Sequence, residues 1–195
     1  MGKGRLEAFS DGVLAIIITI MVLELRAPAG YDLPALQPLI PVFLSYVLSF
    51  VYLAIYWNNH HHMLHTCQRV TGRILWANIH LLFWLSLFPF VTSWMGDHLL
   101  EPTPVALYGA VLLMAAIAYF ILQRTIIATQ GKTSVLARAV GNDVKGKLSP
   151  ILYGTAILAS FIEQRIAHGL YILVAIMWLV PDRRIEHTLR NEHTT

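Results

Sequence analysis

Arg5-Leu6-Glu7-Ala8-Phe9-Ser10-Asp11-Gly12-Val13-Leu14-Ala15-Ile16-Ile17-Ile18-Thr19-Ile20-Met21-Val22-Leu23-Glu24 opens the chain with an apolar run that carries a carboxylate near its start. From Leu6 to Leu25 it matches the roughly 20 residues a helix needs to cross a bilayer. A carboxylate there is costly against lipid, so Asp11 and Ser10 must face protein or water. Arg5 and the imidazoles at the end of the second apolar segment are natural partners for Asp11. A helix cap with a snorkelled ion pair accounts for the same residues. A cleavable signal peptide would end at small residues after a short apolar core, whereas this run continues into Glu24, Arg26 and a Pro/Gly stretch; it reads as a retained span.

Outward from this helix the composition agrees. The 195 residues are 56% hydrophobic and 13% charged, with a mean hydropathy of +0.60, too apolar for an ordinary soluble domain. Apolar segments at 6–25, 36–57, 74–95, 104–122, 149–163 and 166–181 predict an all-α, polytopic membrane protein of six transmembrane helices, forming one domain over 1–195. The last two, split by Glu163, Gln164 and Arg165, predict a tight helical hairpin. Of the 14 Lys and Arg, Lys3, Arg5, Arg69, Arg73, Arg124, Lys132, Arg138, Lys145, Lys147, Arg183, Arg184 and Arg190 fall on one side of such a bundle and only Arg26 and Arg165 on the other. This asymmetry places both termini in the cytoplasm and the protein in the cell membrane. Tyr56, Trp57, Trp76, Trp94 and Trp178 lie near span ends, where amphipathic rings settle among headgroups. The formal charge of +3 is therefore topological and implies no nucleic-acid partner. Cys67, the only cysteine, excludes an intrachain disulfide and a cysteine-rich metal site.

The motif Arg5-x-x-x-Phe9-Ser10-Asp11-Gly12 resembles the R-x-x-x-F-S-D-G opening of the endolysosomal potassium channel family, in particular its short bacterial members. The likeness extends to the His/Trp-containing end of the second span, Trp57-Asn58-Asn59-His60-His61, and to Asn78 and Phe88-Pro89-Phe90 in the third. It implies a homotetramer in which four first helices surround a pathway for K⁺, possessing neither a re-entrant filter loop nor a cofactor and extending in some members to protons. The chain has no Thr-Val-Gly-Tyr-Gly stretch, in keeping with that plan. The resemblance assigns Arg5, Phe9, Ser10, Asp11, Gly12, Trp57, His60, His61 and Asn78 to a structural network, and the apolar constriction to Ile16, Ile20 and Leu23.

At about 100° per residue, Gly12, Ile16, Thr19, Ile20 and Leu23 share one narrow stripe and Asp11 falls well off it. Four apolar rings around an axis exclude water until the pore widens. Periodicity alone would read the same side chains as lipid-facing or packed within the bundle. Thr19 offers a hydroxyl ring beside the apolar layers, or a hydroxyl bonded back to its own helix. Glu24 stands near the outer mouth.

His60, His61, His62 and His65 support a second class of function. An i, i+4 imidazole pair is a ligand spacing, which makes a metal- or haem-binding membrane redox protein the alternative, although no carboxylate lies nearby in sequence. The bland alternative has His60 or His61 reaching across to Asp11 or Asn78. Asn78 and Ser86 should mark the bundle-facing side of the third span. Pro38, Pro41 and Pro89 should kink or end helices. The basic stretch from Gln123 to Lys147 has the composition of a segment lying on anionic headgroups. No Gly-x-Ser-x-Gly elbow, Walker loop, HExxH or paired intramembrane carboxylates are present, which argues against an enzyme. No internal inverted repeat suggests a secondary transporter.

Overall fold

A computed structural model of the chain describes residues 2–131, 134–141 and 143–179. Helix α1, Lys3–Leu23, buries Leu6, Ser10, Leu14, Ile17 and Met21, spaced by three or four residues along one stripe. It begins beyond Gly2 without a side-chain cap. Ser10 and Asp11 therefore sit two turns inside it and do not cap it. A 3₁₀ segment, Leu33–Leu39, leads into α2, Ile40–His65. Pro38 has no N–H to donate, and Pro41 takes a first-turn position where none is required. The regular helix accordingly starts between them. At its other end α2 outruns the expected span by more than two turns, so all four clustered histidines are helical.

The third apolar segment is interrupted: α3, Gly72–Ser86, and α4, Phe88–Asp97, meet at Leu87. Pro89 withholds the N–H that would bond the carbonyl of Leu85. Helix α5, Pro102–Gln130, ends at Gly131, whose φ of 93° is open to glycine at little cost. The short α6, Val135–Val140, is followed by α7, Val144–Ala159, and α8, Gln164–Leu179.

The expectation of six spanning helices is corrected. Among the described residues only four stretches are long and apolar enough to cross a membrane: Lys3–Leu23, Leu33–His65, Gly72–Asp97 and Pro102–Gln130. Helices α7 and α8 have 16 residues each, about 24 Å at 1.5 Å per residue, against a hydrocarbon core of roughly 30 Å. Hydropathy read the segments too generously. Helix α7 spends its first turn on Lys145 and Lys147, and the chain turns at 160–163, inside the expected fifth span. The hairpin itself is present, with the indole N–H of Trp178 donating to Ser149 Oγ at 2.8 Å. Residues 180 and 181 of the expected sixth span, together with Lys132, Arg183, Arg184 and Arg190, lie outside the described residues. The fold is otherwise all-α and polytopic, and no strand occurs among the described residues.

Helix α1 packs on α2, α3 and α4, while α5 packs on α3, α4, α7 and α8. Several polar groups inside the bundle satisfy one another across helices, whereas the buried Nε2 of His168 has no partner among the described residues. Thr92 donates to Ser49 at 2.7 Å, and Ser49 and Tyr108 share a hydrogen bond of 3.0 Å. Tyr52 donates to the carbonyl of Tyr171, whose own hydroxyl donates to the carbonyl of Val105 at 3.0 Å. Gly109 lets Tyr171 approach so closely, since a Cβ there would collide with its hydroxyl and with Ile157.

The Lys3 ammonium donates to the carbonyl of His65 at 2.7 Å, bringing the start of α1 to the end of α2. That end of the bundle carries Lys3, Arg5, Arg69, Arg73 and Arg124. The opposite end holds Glu24, Arg26, Asp32, Asp97 and Glu101. Four stretches long enough to cross are, like six, an even number, so either count returns the chain to the side where α1 begins.

Gly109→Ala should destabilise the protein by about 1–3 kcal/mol through overpacking, seen as a lower Tm of the detergent-solubilised protein. Combining it with Tyr171→Phe, which removes the colliding oxygen, should cost less than the sum of the two.

Candidate functional site

The opening motif sits where α1, α2 and α3 meet near the basic end. Ser10 is fully buried and donates to the carbonyl of Leu6 at 2.9 Å. Its proton is thereby committed, so toward Asn78 Ser10 can only accept, and the Asn78 amide donates to it at 3.0 Å. The amide orientation follows, leaving Asn78 Oδ1 to face His60 Nε2 at 2.6 Å. An amide oxygen only accepts, which makes Nε2 the protonated nitrogen of His60. Three buried polar residues from three helices thus satisfy one another in a chain with a single consistent direction.

Asp11, one residue further and about 100° around the helix, is exposed. Its Oδ1 accepts from the indole N–H of Trp57 at 3.0 Å. The expected pairing with Arg5 is not what holds it; Arg5 is exposed, and so are Phe9 and Gly12. The Trp57 ring is stacked with His61 at a centroid distance of 6.2 Å, and His61 neighbours His65 at 6.3 Å. The clustered imidazoles consequently divide: His60 is buried on Asn78, whereas His61 and His65 lie outside. Among the described residues no group of three or more His, Cys, Asp or Glu is placed to hold a metal ion, so nothing here supports the metal or haem alternative. Of the two side chains expected to mark the inner side of α3, Asn78 does so. Ser86 is exposed and satisfies itself on the carbonyl of Phe83 at 2.7 Å, where a lipid-facing hydroxyl costs little.

The other face of α1 bears Gly12, Ile16, Thr19, Ile20 and Leu23. All are exposed in the single chain, Ile16 at 60%, Ile20 at 42% and Leu23 at 73%. Thr19 donates back to the carbonyl of Ala15 at 2.8 Å, the local bond expected as one of its two readings. At the far end of the helix Ser93 donates to Glu24 at 3.4 Å.

Residues 5–89, which contain the motif and its Asn78 partner, match the family model described as endosomal/lysosomal potassium channel TMEM175. A potassium channel from Chryseobacterium sp. (strain P1-3) is 55% identical over 190 residues, covering 97% of this chain and 99% of that one. The chain belongs to the TMEM175 family. It is a multi-pass membrane protein of the potassium-channel, ion-transport class and not an enzyme. The endosomal/lysosomal proton channel TMEM175 of Bos taurus is 27% identical over 149 residues, 68% of this chain and 31% of that protein. The crystal structure of a lysosomal potassium-selective channel TMEM175 homolog from Chamaesiphon minutus superposes with a TM-score of 0.80 at 27% identity, covering 92% of this chain and 97% of that one. The TMEM175 opening motif is thus attached to a fold shared along nearly the whole chain.

Of the partners expected for it, Asp11 meets neither Arg5 nor an imidazole but Trp57, while His60 reaches Asn78, one of the two partners expected for the imidazoles. Trp57 was already among the motif residues, and its indole N–H is a donor that needs an acceptor when half-buried.

Asn78→Ala should strand the N–H of His60 and remove the donor to Ser10, lowering stability by about 1–3 kcal/mol. Ser10→Ala leaves one amide N–H unmet and should cost less. Thermal unfolding in detergent, with both variants measured beside the parent, checks the order.

Proposed function

We propose that the chain forms a homotetrameric, K⁺-preferring cation channel in the cell membrane, with both termini cytoplasmic and the path lined by α1. The observation that carries this reading is the division of α1 into two faces. One face is buried on its own bundle and anchored through Ser10. The other presents Gly12, Ile16, Thr19, Ile20 and Leu23, all of them exposed in the single chain. Four copies around an axis give each of these side chains a like neighbour.

In that arrangement Ile16, Ile20 and Leu23 form apolar rings that exclude water from a narrow path. An ion passing them sheds part of its hydration, and K⁺ releases water more readily than Na⁺. Thr19 serves this step well because its proton is committed to the Ala15 carbonyl. Its oxygen therefore retains only acceptor capacity toward the axis, which suits a partly dehydrated cation. The motif network of Arg5, Phe9, Ser10, Asp11, Gly12, Trp57, His60, His61 and Asn78 sets the rotation of α1, and with it the register of the rings. Glu24, at the acidic end, attracts cations to the outer mouth. Cytoplasmic termini follow from the lysines and arginines gathered at the end where α1 begins. Permeation by protons is part of the proposal, supported by the proton-channel description of the bovine relative. No resident cofactor is required, and the whole chain acts as one domain.

Protein reconstituted into liposomes under a K⁺ gradient should give downhill K⁺ flux exceeding Na⁺ flux, with empty liposomes as the control. Ile20→Asn should wet its ring, raising conductance while eroding the K⁺/Na⁺ preference. An unchanged flux in Ile20→Asn would remove Ile20 from the constriction, and no flux of either ion from the parent would remove the channel reading.

A further inference from the structure

At the basic end, on the outside of the bundle and away from α1, the start of α3 and the last turns of α5 border an open groove of about 780 Å³. Thr71 and Arg73 form one wall, and Phe120, Ile121, Arg124 and Ala128 form the other. Unlike the exposed Arg5 and Arg69 at the same end, Arg73 and Arg124 border one groove together. Both guanidiniums are exposed, and among the described residues neither has a carboxylate within salt-bridge distance. Like charges converging on one groove repel each other unless an anion joins them. The Arg124 guanidinium carbon also lies 4.9 Å from the centre of the Phe120 ring, which restrains that side chain beside the groove.

The surroundings decide what kind of anion fits. Phe120 and Ile121, one turn deeper along α5 than Arg124, are exposed large apolar side chains. They continue the groove toward the apolar part of the bundle. Trp76, one turn on from Arg73 in α3, is 74% exposed, the setting of an indole at the headgroup level of a bilayer. A soluble anion would use the arginines and leave the apolar wall uncovered. A glycerophospholipid uses both, with its phosphate between the arginines and an acyl chain along Phe120 and Ile121. Basic pockets between membrane helices on the positively charged side bind acidic headgroups in this way.

We propose that this groove is a binding site for an anionic glycerophospholipid, with Arg73 and Arg124 as its headgroup ligands. The site lies outside the proposed ion path and stands whether or not the channel reading does.

The test titrates the full-length protein in detergent with phosphatidylglycerol and, separately, with phosphatidylcholine of the same chains, counting bound lipid by native mass spectrometry. Phosphatidylglycerol should bind at least about tenfold more tightly, as two arginines near an acidic headgroup allow. The variant R73Q/R124Q should lose that preference, and R73K/R124K should retain most of it. R69Q/R138Q, which removes two charges from the same end outside the groove, should leave the preference unchanged. Melting temperatures within a few degrees of the parent establish that the variants are folded. Equal binding of the two lipids, or equal loss of preference in R73Q/R124Q and R69Q/R138Q, would overturn the proposal in favour of diffuse surface charge. Displacement of phosphatidylglycerol by millimolar inorganic phosphate would also overturn it, assigning the arginines to a soluble anion.

Discussion

The buried chain from the Leu6 carbonyl through Ser10 and Asn78 to His60 is the contact on which the placement of α1 depends. A bilayer offers no water to take over an unmet hydrogen bond, so each of these groups must find its partner inside the protein. The three distances, 2.9, 3.0 and 2.6 Å, fix α1 against α3 and α3 against α2 simultaneously. Apolar packing alone would tolerate rotation of α1, because its sides are all hydrophobic enough for lipid. The polar chain removes that freedom: turning α1 by one residue would pull Ser10 away from Asn78 and bury a group with no partner. Fixing the rotation also decides which side chains are left on the outer face.

Two adjacent residues divide these tasks. Ser10 points into the bundle and Asp11 out of it, about 100° away, so a motif that is continuous in sequence is not one site in space. Its inner member sets the helix position. Its outer members, Phe9, Asp11 and Gly12, lie on the surface that faces other molecules, where Asp11 is steadied by the neutral indole of Trp57 and not by a cation. A neutral donor satisfies one carboxylate oxygen without cancelling the charge, leaving Asp11 with acceptor capacity that an arginine fork would have occupied.

Much of this was readable from the residues. Helical apolar segments, the charge asymmetry, the polar role of Asn78 and the opening motif all report constraints that act locally along the chain, and hydropathy and spacing record such constraints directly. What was misread depends on contacts between distant segments or on where helices stop. The count of six spans failed at α7 and α8, because a window average cannot see that Lys145 and Lys147 begin a helix or that the chain turns at 160–163. The interruption at Leu87 was signalled by Pro89. The extension of α2 through His65 had no such marker, and its imidazoles could as well have belonged to a loop. Asp11 was given a plausible ionic partner, yet Arg5 and Asp11 are six residues apart on one helix and point in different directions, while Trp57 arrives from another.

The shortness of α7 and α8 has a structural consequence within the membrane. Helices of about 24 Å cannot place both ends at the two interfaces of a core of roughly 30 Å unless the bilayer thins around them. The backbone groups at the 160–163 turn are partly met inside the hairpin, where Glu163 and Ser160 donate to the carbonyl groups of Ala159 and Ala156 at 2.8 and 2.9 Å. The other end is tied by Trp178 and Ser149. Tyr171 then anchors the hairpin to α5, and Tyr52 anchors α2 to the hairpin, through hydrogen bonds to main-chain carbonyls. Carbonyl acceptors persist under side-chain change, so this outer layer is fastened by few specific side chains, chiefly the two tyrosines and Gly109. The inner layer depends on matched side chains in Ser10, Asn78 and His60. A protein whose first helix must be held in one rotation, while its later helices need only be attached, concentrates its sequence-specific contacts in its first half. The matched family model, residues 5–89, takes in all three of these side chains.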